Sequence, residues 1–399
     1  MSRLFETSGI KSMKLKNRIV RSATLEGLAG DNGLPTEKHF KFYENLARGG
    51  TGLIITGLSY VSRDGRVSPV GMLGVDRDEV VPHFKKLVKH VHESGARIAM
   101  QIAHAGRQTH KKAIGTDPIA PSPVMDKSTG KTPREMTEGD IERVINSFAL
   151  AAGRVKKCGF DAVQLHGAHG YLINQFLNPH TNRRTDKWGG SLENRFRFLS
   201  EIYRRSREIV GPRYPILIKI SAYDKMKNGI KTEEGVLMAE MMDRMGIDGI
   251  EVSCGIGEDG MSTMRGNFPM DILIDDLGMF RKQPLMRFMM KRFGKFFMRP
   301  LPFSQEYNLD AAREIKKRVK APVFLVGGVI DPQRMEEIIE KGDADYISLS
   351  RALIREPGFP ERIKNGSMEP SKCIHCNHCI LYLALAPLRC YNGKRISGR

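Results

Sequence analysis

No run of eighteen apolar residues occurs in this 399-residue chain, so no segment is expected to span a membrane as a helix. The first twenty residues, MSRLFETSGIKSMKLKNRIV, contain no hydrophobic signal core, and a cytoplasmic location is expected. No GxGxxG fingerprint opens a βαβ unit, which argues against a separate nicotinamide-binding domain. Cysteine is sparse, with six residues. Cys158 and Cys254 stand alone in apolar surroundings, as buried thiols do. The other four crowd into the last 27 residues, which is not the layout of a secreted disulfide framework. Acid is in deficit: 45 Asp and Glu face 64 Lys and Arg, a formal net charge of +19. Such an excess suits nucleic acid, anionic lipid or an acidic protein. It is unevenly spread, however. Residues Phe280 to Arg299 hold seven Lys/Arg and no Asp or Glu, which favours a local cause over a nucleic-acid groove.

What is present reads as an α/β chain. Eight short apolar runs alternate with helical patterns: Arg18–Ala23, Thr51–Gly57, Ala96–Ala103, Asp161–Leu165, Pro215–Ser221, Asp248–Cys254, Ala321–Gly328 and Ala344–Ser350. Helices are predicted from Thr36 to Arg48, Asp76 to Ser94, Thr137 towards Lys157, after Ser191, and around Glu233 to Met245. The loop carrying Pro118, Pro121, Pro123 and Pro133 is too proline-rich for a regular element. Eight strands each followed by a helix predict a (β/α)8 TIM barrel, and 399 residues suit one barrel with insertions.

The chain is organised around residues 160–199, FDAVQLHGAHGYLINQFLNPHTNRRTDKWGGSLENRFRFL. A buried strand delivers His166, His169 and Tyr171 from its C-terminal end, the face where such barrels gather their active sites. These three could bind a metal, act as acid and base, or be satisfied core groups. A metal lacks a third ligand nearby and leaves the tyrosine idle. Two imidazole donors on one carbonyl oxygen, beside a phenol as proton donor, use all three. Lys219 lies alone in an apolar strand, either an anion clamp or a snorkelling lysine. Gly327-Gly328 and Ser350-Arg351 close the seventh and eighth strands and read together as a phosphate site. Cys373, Cys376, Cys379 and Cys390 read as thiolate ligands of [4Fe–4S] or zinc, or as uncoordinated thiols.

The stretch His166–Leu199 resembles the active-site segment of the Old Yellow Enzyme family, the FMN-dependent ene-reductases. The resemblance runs from about residue 3 to 365, apart from one insertion. It implies FMN, with Ala23, Thr24 and Gly57 lining the isoalloxazine, Gln101 on its pyrimidine edge and Lys219 near N1 and O2. It places Gly327, Gly328, Ser350 and Arg351 at the phosphate. His166 and His169 would hold the substrate's carbonyl oxygen, and Tyr171 would supply the proton. The implied activity is ping-pong reduction of an enone-type small molecule, with NAD(P)H as electron donor. Relatives that extend the barrel, such as trimethylamine dehydrogenase and 2,4-dienoyl-CoA reductase, imply a [4Fe–4S] cluster on Cys373, Cys376, Cys379 and Cys390, whose electrons would pass to a redox partner protein. The expected layout is a barrel over residues 1–365, an inserted segment at about 256–308, and a Cys-rich extension over 366–399. Alternatives are an amine or ether dehydrogenase or demethylase on the same barrel, and an Fe–S/flavin electron-transfer subunit. Phe280–Arg299 reads either as a helical lid on the barrel mouth or as a basic amphipathic surface for a partner or anionic membrane. A homo-oligomer is compatible with all of these.

Overall fold

The structure is a computed structural model describing residues 2–68, 71–259, 262–298 and 301–396. Eight parallel strands close into a barrel: β1 (Ile19–Arg21), β2 (Leu53–Ile55), β3 (Arg97–Ala103), β4 (Ala162–Gly167), β5 (Ile216–Ser221), β6 (Ile250–Ser253), β7 (Val323–Val326) and β8 (Tyr346–Leu349). Closure is made by β8 pairing with β1, where Ile347 registers with Ile19 and Leu349 with Arg21. The predicted (β/α)8 architecture is therefore present. The strands are shorter than the apolar runs suggest, because glycine and small residues at the run ends turn the chain into the loops that build the site.

The helices begin where the sequence supplies caps. α1 (Glu37–Arg48) starts with a Thr36–His39 capping box, and α3 (Glu138–Lys157) with the reciprocal Thr137–Asp140 box. α2 (Val81–Glu93) places Phe84, Leu87, Val88 and Val91 on its buried face. α4 (Leu192–Val210) is capped by the Ser191 hydroxyl, which accepts from Asn194 N. α5 (Thr232–Met245) ends at Gly246 in the left-handed region, a conformation that costs glycine little. The proline-rich loop carries two-residue strands at Ile119–Ala120 and Arg134–Glu135, a pairing the sequence did not predict. They fit because neither pair of residues includes a proline.

Inside the barrel, Val20, Leu53, Ile55, Leu217, Phe324 and Tyr346 form a closed apolar layer. The hairpin Ser8–Ile10/Met13–Leu15 contributes Ile10, Met13 and Leu15 to the same cluster. Above this layer the interior turns polar with Gln101, Gln164, His166, Lys219 and Glu251, all buried.

Between β6 and β7 the chain makes a π-helical turn, Ile272–Asp276, and then α6 (Pro284–Met298), before α7 (Leu309–Lys316) and α8 (Pro332–Glu340) resume the outer ring. Arg299 and the side chains of residues 295–298 lie outside the described residues. After β8, the chain passes the helices Arg351–Arg355 and Phe359–Lys364. The C-terminal segment then returns to the barrel, burying Tyr382 and Tyr391 with Ile272. Among the described residues, no helix is long and apolar enough to cross a membrane.

Candidate active site

A cavity of about 380 Å³ opens at the C-terminal ends of the strands. Ala23, Thr24, Gln101, His166, His169, Tyr171, Lys219, Gly327, Gly328, Ser350 and Arg351 all line it. Of the barrel residues proposed from sequence, Gly57 alone is placed elsewhere. It lies behind Thr24 and Leu25, its N–H donating to Glu26 Oε1 at 2.8 Å. A Cβ there would stand 2.7 Å from Thr24 O, so glycine serves close packing behind the wall.

One wall is built by the loop after β4. His166 is buried, and its ring lies 4.7 Å from that of Tyr171 and 5.2 Å from that of His169. His169 adopts φ 62°, and its N–H donates to Ser221 Oγ at 2.9 Å, which turns the imidazole inward. Its Nε2 lies 2.8 Å from Ser253 Oγ. Burial, then His169 and Lys219, hold the His166 imidazole well below the usual histidine range. Burial and Lys219 bring His169 down to about 3. Both rings are therefore neutral near pH 7, each carrying one N–H to offer. Burial and the charge of Asp126 push the Tyr171 phenol up to about 12, so it keeps its proton.

The floor is a chain of buried hydrogen bonds that joins four strands, β3 to β6. Gln101 Nε2 donates to Gln164 Oε1 at 2.8 Å, and Gln164 Nε2 donates to Glu251 Oε2 at 2.8 Å. Lys219 Nζ lies 3.2 Å from that same Glu251 oxygen and donates to Ser22 Oγ at 2.8 Å. Burial lowers the lysine's pKa while Glu251 opposes the shift. Sequence reading missed Glu251 and Gln164. The available signal was a glutamate in an apolar strand, one strand after an equally isolated lysine.

At the far end, Gly327 (φ 132°) and Gly328 (φ 76°) turn under residues 304–308. A Cβ on Gly328 would stand 2.5 Å from Ser304 O. Ser350 Oγ lies 2.7 Å from Thr24 Oγ1, joining this end to the first strand's loop. Arg351 Nη1 donates to Arg265 O and to Asn377 Oδ1, each at 2.7 Å. The buried Ser348 Oγ and His166 Nδ1 have no hydrogen-bond partner among the described residues, and both residues line the cavity. Unpaired polar groups of this kind are the mark of a site shaped for a ligand. The donors fit a planar polar ring over Gln101 and Lys219 and an anionic group beside Gly327, Gly328 and Arg351.

Arg351 also borders a second, small cavity lined by Cys373, Cys376, Cys379 and Cys390. The turn holding the first three carries His375 (φ 56°) and Asn377 (φ 60°) in the left-handed region. Burial is the main cause that pushes the Cys379 thiol up to about 12. Among the described residues, no three His, Cys, Asp or Glu side chains are gathered tightly enough to hold one metal ion. His375 stacks on Phe303 at 3.4 Å between ring centres and lines the main cavity as well.

Comparison with known proteins agrees with this geometry. The chain is 39% identical over 376 residues to an NADH oxidase of Thermoanaerobacter brockii, covering 94% of this chain and 52% of that protein. It is 34% identical over 360 residues to an NADPH dehydrogenase of Listeria monocytogenes, covering 90% and 93% of the two chains. A 2-naphthoyl-CoA reductase structure superposes with a TM-score of 0.84 at 26% identity, over 98% of this chain and 56% of that one. The chain thus spans about half the length of the Thermoanaerobacter oxidase. The family match, described as NADH:flavin oxidoreductase / NADH oxidase, covers residues 3–256 and 270–369 and breaks within the segment after β6. The chain belongs to that family, the Old Yellow Enzyme family that His166–Leu199 resembles.

Proposed function

We propose that this protein uses FMN and NAD(P)H to reduce the C=C bond of small α,β-unsaturated carbonyl compounds. The observation that carries the reading is the convergence of His166, His169 and Tyr171 on one wall of the cavity. FMN, held by Gln101, Lys219, Gly327, Gly328, Ser350 and Arg351, supplies the hydride chemistry. His166 and His169, both neutral, donate N–H bonds to the substrate's carbonyl oxygen and draw electron density towards it. His169 does so with its ring oriented by Ser253 and Ser221. Tyr171, protonated up to about pH 12, gives its proton to the α-carbon. Lys219, with its charge supported by Glu251, favours negative charge at the nearby ring edge. Residues 1–365 form the catalytic barrel in this reading, and 366–399 a C-terminal extension. The named 2-naphthoyl-CoA reductase suggests that a conjugated acyl thioester is one form the enone can take.

The test separates two half-reactions. In Tyr171→Phe, reduction by NAD(P)H proceeds at nearly the native rate while reoxidation by an enone slows by ~10²–10⁴. Native-rate reoxidation with an enone removes Tyr171 as the acid and moves the amine-dehydrogenase reading ahead.

A second element of the proposal is that Cys373, Cys376, Cys379 and Cys390, which line one small cavity, would hold a [4Fe–4S] cluster, which would supply one-electron exchange with a separate partner protein. A cluster takes one thiolate per iron, so its ligands line a cavity rather than converge on a single ion. Iron and acid-labile sulphide analysis of anaerobically purified protein, with Cys379→Ser as control, decides it.

A further inference from the structure

The helix α6 faces the wrong way for a lid. None of its described residues lines the main cavity. Its inner side is fastened to the body: Met290 packs on Phe268, Met270, Leu273 and Ile274, and Gly294 is buried so close to Met270 that a Cβ would stand 2.6 Å from its Cε. Arg287 and Lys291 both pair with Asp275, at 2.7 and 2.8 Å. The opposite side presents Leu285, Met286, Phe288, Met289 and Phe293, of which Leu285 is 76% and Phe288 65% exposed. At 3.6 residues per turn these five cover an arc of about 160°. Such an outward apolar face, interrupted by Arg292, marks an interaction surface rather than scattered surface hydrophobics.

We propose that α6 docks the protein on an anionic lipid bilayer, lying flat in the headgroup region with this face inserted. Charge selects that occupant. From residue 277 to 305 there is no Asp or Glu, while seven Lys and Arg are present. Asp275 answers only Arg287 and Lys291; Arg281, Lys282 and Arg292 are exposed and make no ion pair among the described residues. Arg292 falls within this arc, between Phe288 and Leu285, and lies 5.8 Å from the Phe293 ring, so its stem runs along the apolar face while its cation reaches towards headgroups. A second copy meeting it through the same face would bring the same cations against these without one acid to meet them. A groove-binding partner reads a narrow row at i, i+4 and i+8, such as Leu285, Met289 and Phe293. Met286 and Phe288 widen the face beyond such a row, which a flat apolar phase accommodates and a groove does not.

Docking also has a consequence for the cavity. α6 rests on a cluster that includes Leu381, whose neighbours Ile380 and Leu383 line the main cavity. The bilayer contact is therefore mechanically joined to the wall of the site by one apolar cluster.

The test is co-sedimentation of the full chain with phosphatidylcholine vesicles containing about 30% phosphatidylglycerol, against phosphatidylcholine alone. Anionic vesicles should bind it at least about tenfold better, and raising salt from about 0.1 to 1 M, which shortens the screening length about threefold, should release it. The exposed triple variant Leu285→Ser/Phe288→Ser/Phe293→Ser should stay folded by circular dichroism and lose the binding. Arg281→Glu/Lys282→Glu should weaken it as well. No preference for anionic vesicles, or undiminished binding by the triple variant, overturns the proposal. So does a dimer on size exclusion that the triple variant dissociates, or a folded protein that binds acidic protein and no vesicle.

Discussion

Lys219 and Glu251 face each other across neighbouring strands in the same register, with Nζ 3.2 Å from Oε2 and both side chains buried. Neither charge is tolerable there alone. Burial lowers the lysine's pKa and the glutamate opposes that shift, and the lysine, with Gln164, satisfies one carboxylate oxygen. Glu251→Gln should therefore destabilise the protein by about 3–5 kcal/mol, because it strands a buried cation. Urea unfolding measures the loss. A double change, Lys219→Met with Glu251→Gln, should recover part of it; no recovery means that the carboxylate acts through Gln164 instead.

The buried histidines give the fold a defined acid limit. His169 is brought to about 3, while unfolded histidine titrates near 6.5, so below that pH the unfolded chain binds the proton that the folded site refuses. Stability from this group is complete above about pH 6.5 and is lost as pH falls towards 3. The slope is about 1.4 kcal/mol per pH unit for each such residue. His166 shares the direction, as does His39, brought to about 4. Urea midpoints should be flat above pH 7 and fall below 6.5. His169→Gln should flatten the fall; an unchanged slope removes the assignment of a neutral buried ring.

Arg351 joins three parts of the molecule: the end of β8, the Arg265 carbonyl and Asn377 of the cysteine turn. Arg351→Ala should release FMN on dialysis, followed by absorbance of the retained protein. Arg351→Lys should keep more cofactor, since it retains the positive charge but loses the two-pronged geometry. Full retention by the alanine variant removes the phosphate assignment.

The site was readable from sequence where chemistry sits at the ends of strands. His166 stands near the end of one strand with His169 and Tyr171 just after it, and the glycine pair and Ser350-Arg351 follow two others, so residue type and place pointed to the lining of the cavity. Glu251 was not readable, because its meaning depends on Lys219, which only barrel pairing brings opposite it. Gly57, which the resemblance placed on the flavin ring, instead makes room for Glu26 and Thr24 behind the cavity wall. The density of large apolar residues in Phe280–Arg299 admitted a lid or a surface. Their side became decidable only from the anchors, Met290, Gly294 and the Asp275 pairs.

The two histidines and the tyrosine should separate by experiment, because binding and proton transfer use different atoms. A phenol offers the proposed imidazole donors one oxygen and has no electron-poor C=C bond to accept hydride, so it tests those donors without turnover. Removing one donor to a buried oxygen costs about 1–1.5 kcal/mol, or roughly tenfold in Kd. His166→Ala and His169→Ala should each weaken phenol binding by about that factor in the FMN-loaded enzyme. Tyr171→Phe should leave it unchanged. Ser253→Ala should fall between, because the His169 ring keeps its N–H and loses only the hydroxyl 2.8 Å from Nε2 that holds its orientation. Titration followed by the flavin absorbance gives all four constants. Equal weakening by Tyr171→Phe means the phenol side chain also contacts the ligand oxygen, and the proton donor must then be sought elsewhere on the cavity wall.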